Sequence, residues 1–367
     1  MSERTKQQAG FTLVELMVSI VIASAVTWML FSINNKMTRG MRDSRQVSEL
    51  NANLRALKAE IADALSQAGF GMPTGHLLVP GSYAAVNGGL TILNAVRFYN
   101  GITTDGMDRV DIYYTNGQSV SRVFDLDAST NQITYDSSNG IVYEPGELLV
   151  LTGSQGNHAC LIEVQSVSGD NLSLYDSDHC SGLESDAAGD GEVRLSRFIG
   201  RGYRISETNR GIGVLEYSAT GGLVDNSDAS DDWNPIATGV VNLQFAARYY
   251  EPDAIAGADF DGDGAPGLDW YNDDSLDSVS AATPRPQCEG CIPIEVSFSI
   301  DMKSRYPVPG SVAESTPAHQ GPKIGDWPEV DLTLAPGSRP LGYRGEHIYR
   351  SVTSKVNLRY APNAAGL

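Results

Sequence analysis

The stretch "QQAGFTLVELMVSIVIASAVTWMLFSI", from Gln7 to Ile33, decides the fold because it places one carboxylate inside a long apolar run. At about 1.5 Å per residue, a helix from Phe11 to Ile33 is long enough to cross a membrane. A lone carboxylate at membrane depth costs about 2.5–3.5 kcal/mol on insertion scales, so Glu15 requires a physical explanation. An ordinary signal peptide has a shorter apolar core with a small-residue cleavage site after it. Here the polar residues come first, and Gly10 and Phe11 form the junction.

The segment "GFTLVELMVSIVIASAV" resembles the class III signal of type IV prepilins and pseudopilins. The shared motif is a glycine, an aromatic residue, Thr-Leu, and a glutamate at the fifth mature position. The resemblance implies that a prepilin peptidase cuts between Gly10 and Phe11 and then methylates the new N-terminus at Phe11. It also implies that Glu15 pairs with the amino group of Phe11 on a neighbouring subunit, which makes a buried carboxylate tolerable. The alternative is a plain signal anchor that carries an isolated acidic residue.

The residues after the apolar run predict that the same helix continues. Apolar side chains recur every three or four residues, at Val47, Leu50, Leu54, Leu57, Ile61, Leu65 and Ala68. The segment "SQAGFGMP" then supplies two glycines and Pro73, which together favour a helix end. We therefore expect one helix from about Phe11 to Ala68, with a membrane-spanning part at residues 11–33 and an amphipathic part at 34–70.

From Leu77 onward, short alternating runs separated by turn residues predict strands and hairpins, for example "AVRFYN", "RVDIYYTNG" and "ELLVLTG". The expected fold class is α+β, with a long N-terminal helix packed on an antiparallel β-sheet and a further β-rich region after it. We expect a leader at residues 1–10, the helix, a first β-rich region at 71–200 and a second at 201–367.

Three segments near the C-terminus resemble PilW-type minor pilins: "NPIATGVVNLQFAARYYEPDAIAGADFDGDGAPG", "IPIEVSFSIDMKSRYP" and "HIYRSVTSKVNLRY". The last ends in Arg359-Tyr360, where that family usually has Arg-Asn. The resemblance implies a subunit that joins other minor pilins in a tip complex and primes or caps a type IV pilus, with the major pilin and the inner-membrane assembly platform as partners. It implies a single-pass inner-membrane protein with a periplasmic head, which later enters the pilus at the cell surface. The alternatives are a tip-complex pseudopilin of type II secretion and a pilus-tip adhesin.

Composition and motifs argue against other classes of function. The formal net charge of −19 disfavours nucleic-acid binding, which needs a basic face. The five histidines form no HExxH motif, and the sequence holds neither a GxSxG elbow nor a phosphate-binding loop. We therefore expect a structural protein with no catalytic residues.

The four cysteines are Cys160, Cys180, Cys288 and Cys291. An even number in a chain with an export signal predicts two disulfides. Proximity along the chain favours Cys160–Cys180 and Cys288–Cys291 among the three pairings that four cysteines allow. For "CEGC" a redox dithiol or half of a zinc site is the alternative, and His158 and His179 leave zinc as an alternative beside the first pair.

The segment "DFDGDGAPGLDW" has alternating aspartates followed by Gly264, as in the first half of an EF-hand loop. The twelfth position is Trp270 rather than the usual bidentate glutamate, so another group has to close the shell. The candidate ligands are Asp259, Asp261, Asp263, the carbonyl of Ala265, and Asp269. We expect this loop to bind Ca²⁺, and the alternative is a solvated acidic turn.

Overall fold

The computed structural model describes residues 12–72, 76–80, 92–99, 109–153, 159–184, 187, 192–207, 213–221, 223, 233–250, 268–271, 292–304 and 349–358. By contacts, the chain divides into two compact units, Met1–Glu49 and Leu50–Leu367.

The first element in the described part of the chain is helix α1, Leu13–Gln67, close to the predicted bounds. Its end is held by the sheet. The amide of Gly69 donates to the carbonyl of Tyr113 at 2.9 Å, and the amide of Thr115 donates to the carbonyl of Phe70 at 2.9 Å. Gly71 has φ +75, and a Cβ there would lie 1.9 Å from Thr115 Oγ1, so only glycine lets the chain leave the helix this close to the strand.

In the part of the chain that the structure describes, the first sheet comprises eleven strands: β1 His76–Leu78, β2 Ile92–Asn94, β3 Val96–Tyr99, β4 Arg109–Asp127, β5 Gln132–Tyr135, β6 Leu148–Thr152, β7 Ala159–Ser168, β8 Asn171–Leu174, β9 Val193–Glu207, β10 Gly213–Ser218 and β11 Trp233–Thr238. Their order is β11-β10-β9-β4-β5-β8-β7-β1-β2, while β3 pairs with β4 and β6 pairs with β7 and β9. Their pairings are antiparallel, apart from a parallel contact between β1 and β7. A 3-10 helix, Asp178–Leu183, follows β8.

Among the described residues, the second sheet has four strands, β12 Val240–Tyr250, β13 Leu268–Tyr271, β14 Ile292–Lys303 and β15 Tyr349–Asn357. They lie in the order β13-β12-β14-β15 and are all antiparallel. The change of sheet comes at Gly239, whereas the predicted boundary at residue 200 lies inside strand β9. The sequence "GRGYR" resembles a turn, but Gly200 and Gly202 lie in the strand, where a Cβ would meet the Thr220 carbonyl at 2.3 Å and the Trp233 ring at 2.8 Å.

The C-terminal part of α1 packs on both sheets in one core. Its buried side chains are Leu50, Leu54, Leu57, Ile61, Ala64, Leu65 and Ala68. They share a cluster with Val110 and Ile112 of the first sheet and with Phe298 and Ile300 of the second. Burying each large aliphatic side chain contributes about 1.5–3 kcal/mol, so this helix face is a main stabilising element of the Leu50–Leu367 unit.

Candidate functional site

The N-terminal part of α1 has an apolar surface that no other described residue covers. Leu13 is 74% exposed and Trp28 is 75% exposed, and the large apolar side chains between them are also exposed. This helix is long and apolar enough to cross a membrane, by length and composition. So large an apolar surface is stable only in another apolar environment, such as a bilayer or a bundle of neighbouring helices.

Thr12 and Glu15 form a reciprocal cap at the start of this helix. The Thr12 amide and hydroxyl each donate to Glu15 Oε2 at 3.0 Å, and the Glu15 amide donates to Thr12 Oγ1 at 3.3 Å. This is a capping box, with threonine at the N-cap position and glutamate three residues later. Sequence reasoning assigned Glu15 to intersubunit pairing and missed this local role, although the pattern Thr-x-x-Glu was visible. Within the described part of the chain, Oε1 accepts no hydrogen bond, so this oxygen is free to meet a cation.

Three hydroxyl groups in the apolar segment are satisfied within the helix. Ser19, Ser24 and Thr27 each donate to the carbonyl four residues earlier at 2.7 Å. These side chains therefore bring little polarity to the surface. Glu15 is the one ionisable side chain between Leu13 and Ile33. Any ion pair made by a side chain of this segment therefore depends on Glu15.

A polar cluster joins the C-terminal part of α1 to the first sheet. Tyr203 donates its hydroxyl to Glu60 Oε1 at 3.2 Å, and Arg201 Nη1 lies 3.5 Å from the same oxygen. Burial, and then the Glu60 charge, raise the pKa of Tyr203, so its phenol stays protonated and acts as the donor. The Arg201 guanidinium lies 5.9 Å from the centre of the Tyr114 ring. These contacts fix the helix on strand β9 beside the apolar core.

Cys160 and Cys180 form a disulfide, with their Cα atoms 5.8 Å apart. The bond joins β7 to the 3-10 helix and is buried. The imidazole of His179 donates from Nε2 to the Leu161 carbonyl at 2.7 Å, and burial lowers its pKa. The ligand atoms of Cys160, His179 and Cys180 lie within 4.8 Å of one another. However, both sulfurs are in the disulfide, so this site has no thiolate to offer zinc.

Several predicted site residues lie outside the described residues, so their roles stay predictions. They are Gly10 and Phe11 at the cleavage junction, Cys288 and Cys291 of the second predicted disulfide, and Asp259, Asp261, Asp263 and Ala265 of the acidic loop. Asp269 lies on β13, where its backbone is paired with Tyr249 of β12. The structure thus places one end of the predicted calcium loop on an edge strand of the second sheet.

Comparison with known proteins identifies the N-terminal segment. Residues 5–31 match a family model described as the prokaryotic N-terminal methylation motif. No curated protein matches the chain. Among solved structures, a type IV-like pilin, TTHA1219 from Thermus thermophilus, matches 59% of this chain and 85% of its own, with 14% sequence identity and a TM-score of 0.21. The methylation motif, followed by an exposed apolar helix and a β-rich head, supports a structural subunit of the pilin or pseudopilin type that is anchored in a membrane.

Proposed function

We propose that this chain is a minor pilin of a type IV pilus, which primes or caps assembly in a tip complex with other minor pilins and the major pilin. One observation carries the proposal. Glu15 stands in the first turn of an uncovered apolar helix, inside the segment that matches the methylation motif, and has one carboxylate oxygen held and the other free within the described part of the chain.

The geometry supports a two-part mechanism of assembly. In the membrane, lipid covers the apolar surface of residues 13–33; in a fibre, the helices of neighbouring subunits cover it instead. Apolar contact of this kind does not define how far one helix slides along another. The free oxygen of Glu15 defines that position when it meets the methylated ammonium of Phe11 on a neighbour, because an unpaired carboxylate in an apolar bundle is unfavourable by several kcal/mol.

The assignment as a minor subunit is supported by where the PilW-like segments lie. Strand β12 belongs to the first segment, β14 to the second and β15 to the third, and these three strands are neighbours in the second sheet. Each of the three separate stretches of resemblance therefore contributes a strand to this sheet, although the first also covers Asn234–Thr238 of β11 in the first sheet.

The test compares two substitutions of Glu15 in a strain that carries a tagged copy of the chain. Glutamine at the third helical position still completes a capping box, but it carries no charge. Glu15→Gln should therefore keep the cap and the membrane level of the protein while removing the ion pair. We expect Glu15→Gln and Glu15→Ala both to reduce the amount of the chain in sheared pili severalfold. Ser19→Ala is the matched control, because it removes a hydroxyl that bonds only within its own helix.

Immunogold labelling of the sheared fibres gives the location. Gold confined to one end of type IV pili is the expected result. Gold along the fibre would indicate a major subunit, and incorporation into a secretion pseudopilus would indicate a tip pseudopilin instead. Wild-type incorporation of the Glu15→Gln protein would contradict the ion-pair mechanism and leave only the cap.

A further inference from the structure

A stripe of cationic side chains follows the apolar part of α1. Lys36, Arg39, Arg42 and Arg45 recur at intervals of three residues, and all four are exposed on the helix. The segment from Ile33 to Arg42 contains no carboxylate, in a chain whose formal net charge is −19. Since a helix turns about 100° per residue, each successive cation lies about 60° further round, and together they cover about half of the helix circumference.

The heights of these cations along the helix sort them into two groups. With a rise of about 1.5 Å per residue, the Cα atoms of Lys36 and Arg39 lie about 4.5 and 9 Å beyond Ile33. A headgroup layer is roughly 5–8 Å deep on each side of the hydrocarbon core. Lys36 and Arg39 thus lie at or near headgroup depth, and the long side chain of Arg42 reaches back towards it. Arg45 lies a further turn away and is already paired with Glu49, from Nε to Oε1, at 3.2 Å.

The end of the apolar run indicates where along the helix the hydrocarbon core of the bilayer ends. Trp28 is 75% exposed and Phe31 is 64% exposed, and both lie in the last turns before the cations. Tryptophan and tyrosine favour the boundary between hydrocarbon and headgroups, whereas phenylalanine favours the hydrocarbon itself, so Trp28 marks the approach to that boundary and Phe31 still belongs to the apolar run. Aromatic residues, followed by a segment up to Arg42 that carries cations and no carboxylate, match the chemical order of a bilayer from its core outward; Asp43 comes next.

We propose that Lys36, Arg39 and Arg42 bind the phosphate groups of anionic phospholipids at the leaflet where the helix leaves the bilayer. The proposal rests on the membrane-anchored state of the proposed function. Guanidinium groups bind phosphate oxygens through paired hydrogen bonds, and lysine adds a point charge. Each cation close to an anionic membrane surface strengthens the interaction by about fivefold. The bound lipids hold the subunit at a defined depth until the helix is drawn into a fibre.

The experiment uses the full-length chain in bilayer nanodiscs of phosphatidylcholine that contain a minority of phosphatidylglycerol. Spin-labelled forms of each lipid report which one is enriched next to the protein. For the wild-type chain we expect phosphatidylglycerol to be preferred by about fivefold or more. The preference should fall close to one in K36Q/R39Q/R42Q. It should remain in R45Q, which removes one positive charge from the same stripe but at a site already paired with Glu49.

Each alternative outcome bears on the proposal. An equal preference in the wild-type and K36Q/R39Q/R42Q chains overturns it, and so does a loss in R45Q as large as that in the triple variant. Removal of the preference by inorganic phosphate, but not by sodium chloride at the same ionic strength, would show a site for free phosphate and overturn the lipid site. Failure to insert into phosphatidylcholine alone would refute the membrane-anchored state as well. Normal insertion without anionic preference refutes the lipid site alone.

Discussion

Loss of the Cys160–Cys180 disulfide should destabilise the head by an amount that can be worked out in two parts. The two residues are 20 positions apart, and in the chain-entropy model closing a loop of this length contributes about 3 kcal/mol. Both cysteines lie in a core cluster with Tyr135, Leu149 and Leu195. Replacing each buried sulfur with the hydrogen of alanine leaves a small void and adds roughly 1 kcal/mol per site. C160A/C180A should therefore lose roughly 5 kcal/mol.

The assay is urea unfolding of a soluble head that begins after the membrane segment, with Cys288 and Cys291 already replaced by alanine. Reduction of this protein opens the bond but keeps both sulfurs, so it should show the loop-closure part alone, about 3 kcal/mol. The alanine pair should show both parts in urea, and in a separate thermal melt its melting temperature should fall by roughly 10 °C, at about 2 °C per kcal/mol for a domain of this size. A loss below about 1 kcal/mol on reduction would refute the loop-closure reasoning.

Three further predictions concern the head. Ile61→Ala, at a fully buried helix position, should lower the unfolding free energy measured in urea by about 2–5 kcal/mol. As the control, Arg55→Ala on the exposed side of the same helix should change it by less than about 0.5 kcal/mol. Because burial lowers the folded-state pKa of His179, its stabilising contribution is complete above its unfolded pKa of about 6.5 and is lost as pH falls through the folded value. Unfolding at pH 7 and pH 5 should therefore show a smaller loss of stability for His179→Gln than for the wild type, and equal losses would contradict this. If the acidic loop binds calcium, the head should melt at a higher temperature in calcium than in chelator, and Asp261→Ala with Asp263→Ala should abolish the difference. A melting temperature indifferent to calcium would favour the solvated turn.

The helix could be predicted from sequence because its signals are local and periodic. The spacing of Leu50, Leu54, Leu57 and Ile61 indicates which face is buried, and the glycines before Pro73 indicate where the helix ends. The Cys160–Cys180 disulfide could also be predicted from sequence. The chain carries an export signal and an even number of cysteines, and these two are close enough in sequence to favour each other as partners.

The strand arrangement was less predictable because tertiary contacts overrule the usual turn signals. Asn116-Gly117 reads as a turn, yet β4 continues through it with a change of register between Thr115 and Val120. A Cβ on Gly117 would lie 2.5 Å from the ring of Phe70, so the glycine makes room for the end of the helix rather than for a hairpin. Such a role depends on a residue far away in sequence, which no local pattern records.

The central claim is that the chain is processed and assembled as a pilin-type subunit, and the mass of its N-terminus tests it most directly. The chain should be extracted from membranes of cells with and without an active prepilin peptidase, then analysed intact and as N-terminal peptides. With the peptidase, the protein should begin at Phe11 and carry one added methyl group; without it, the protein should still carry residues 1–10. A chain that keeps those residues in peptidase-positive cells, or begins at any other position, would contradict the account.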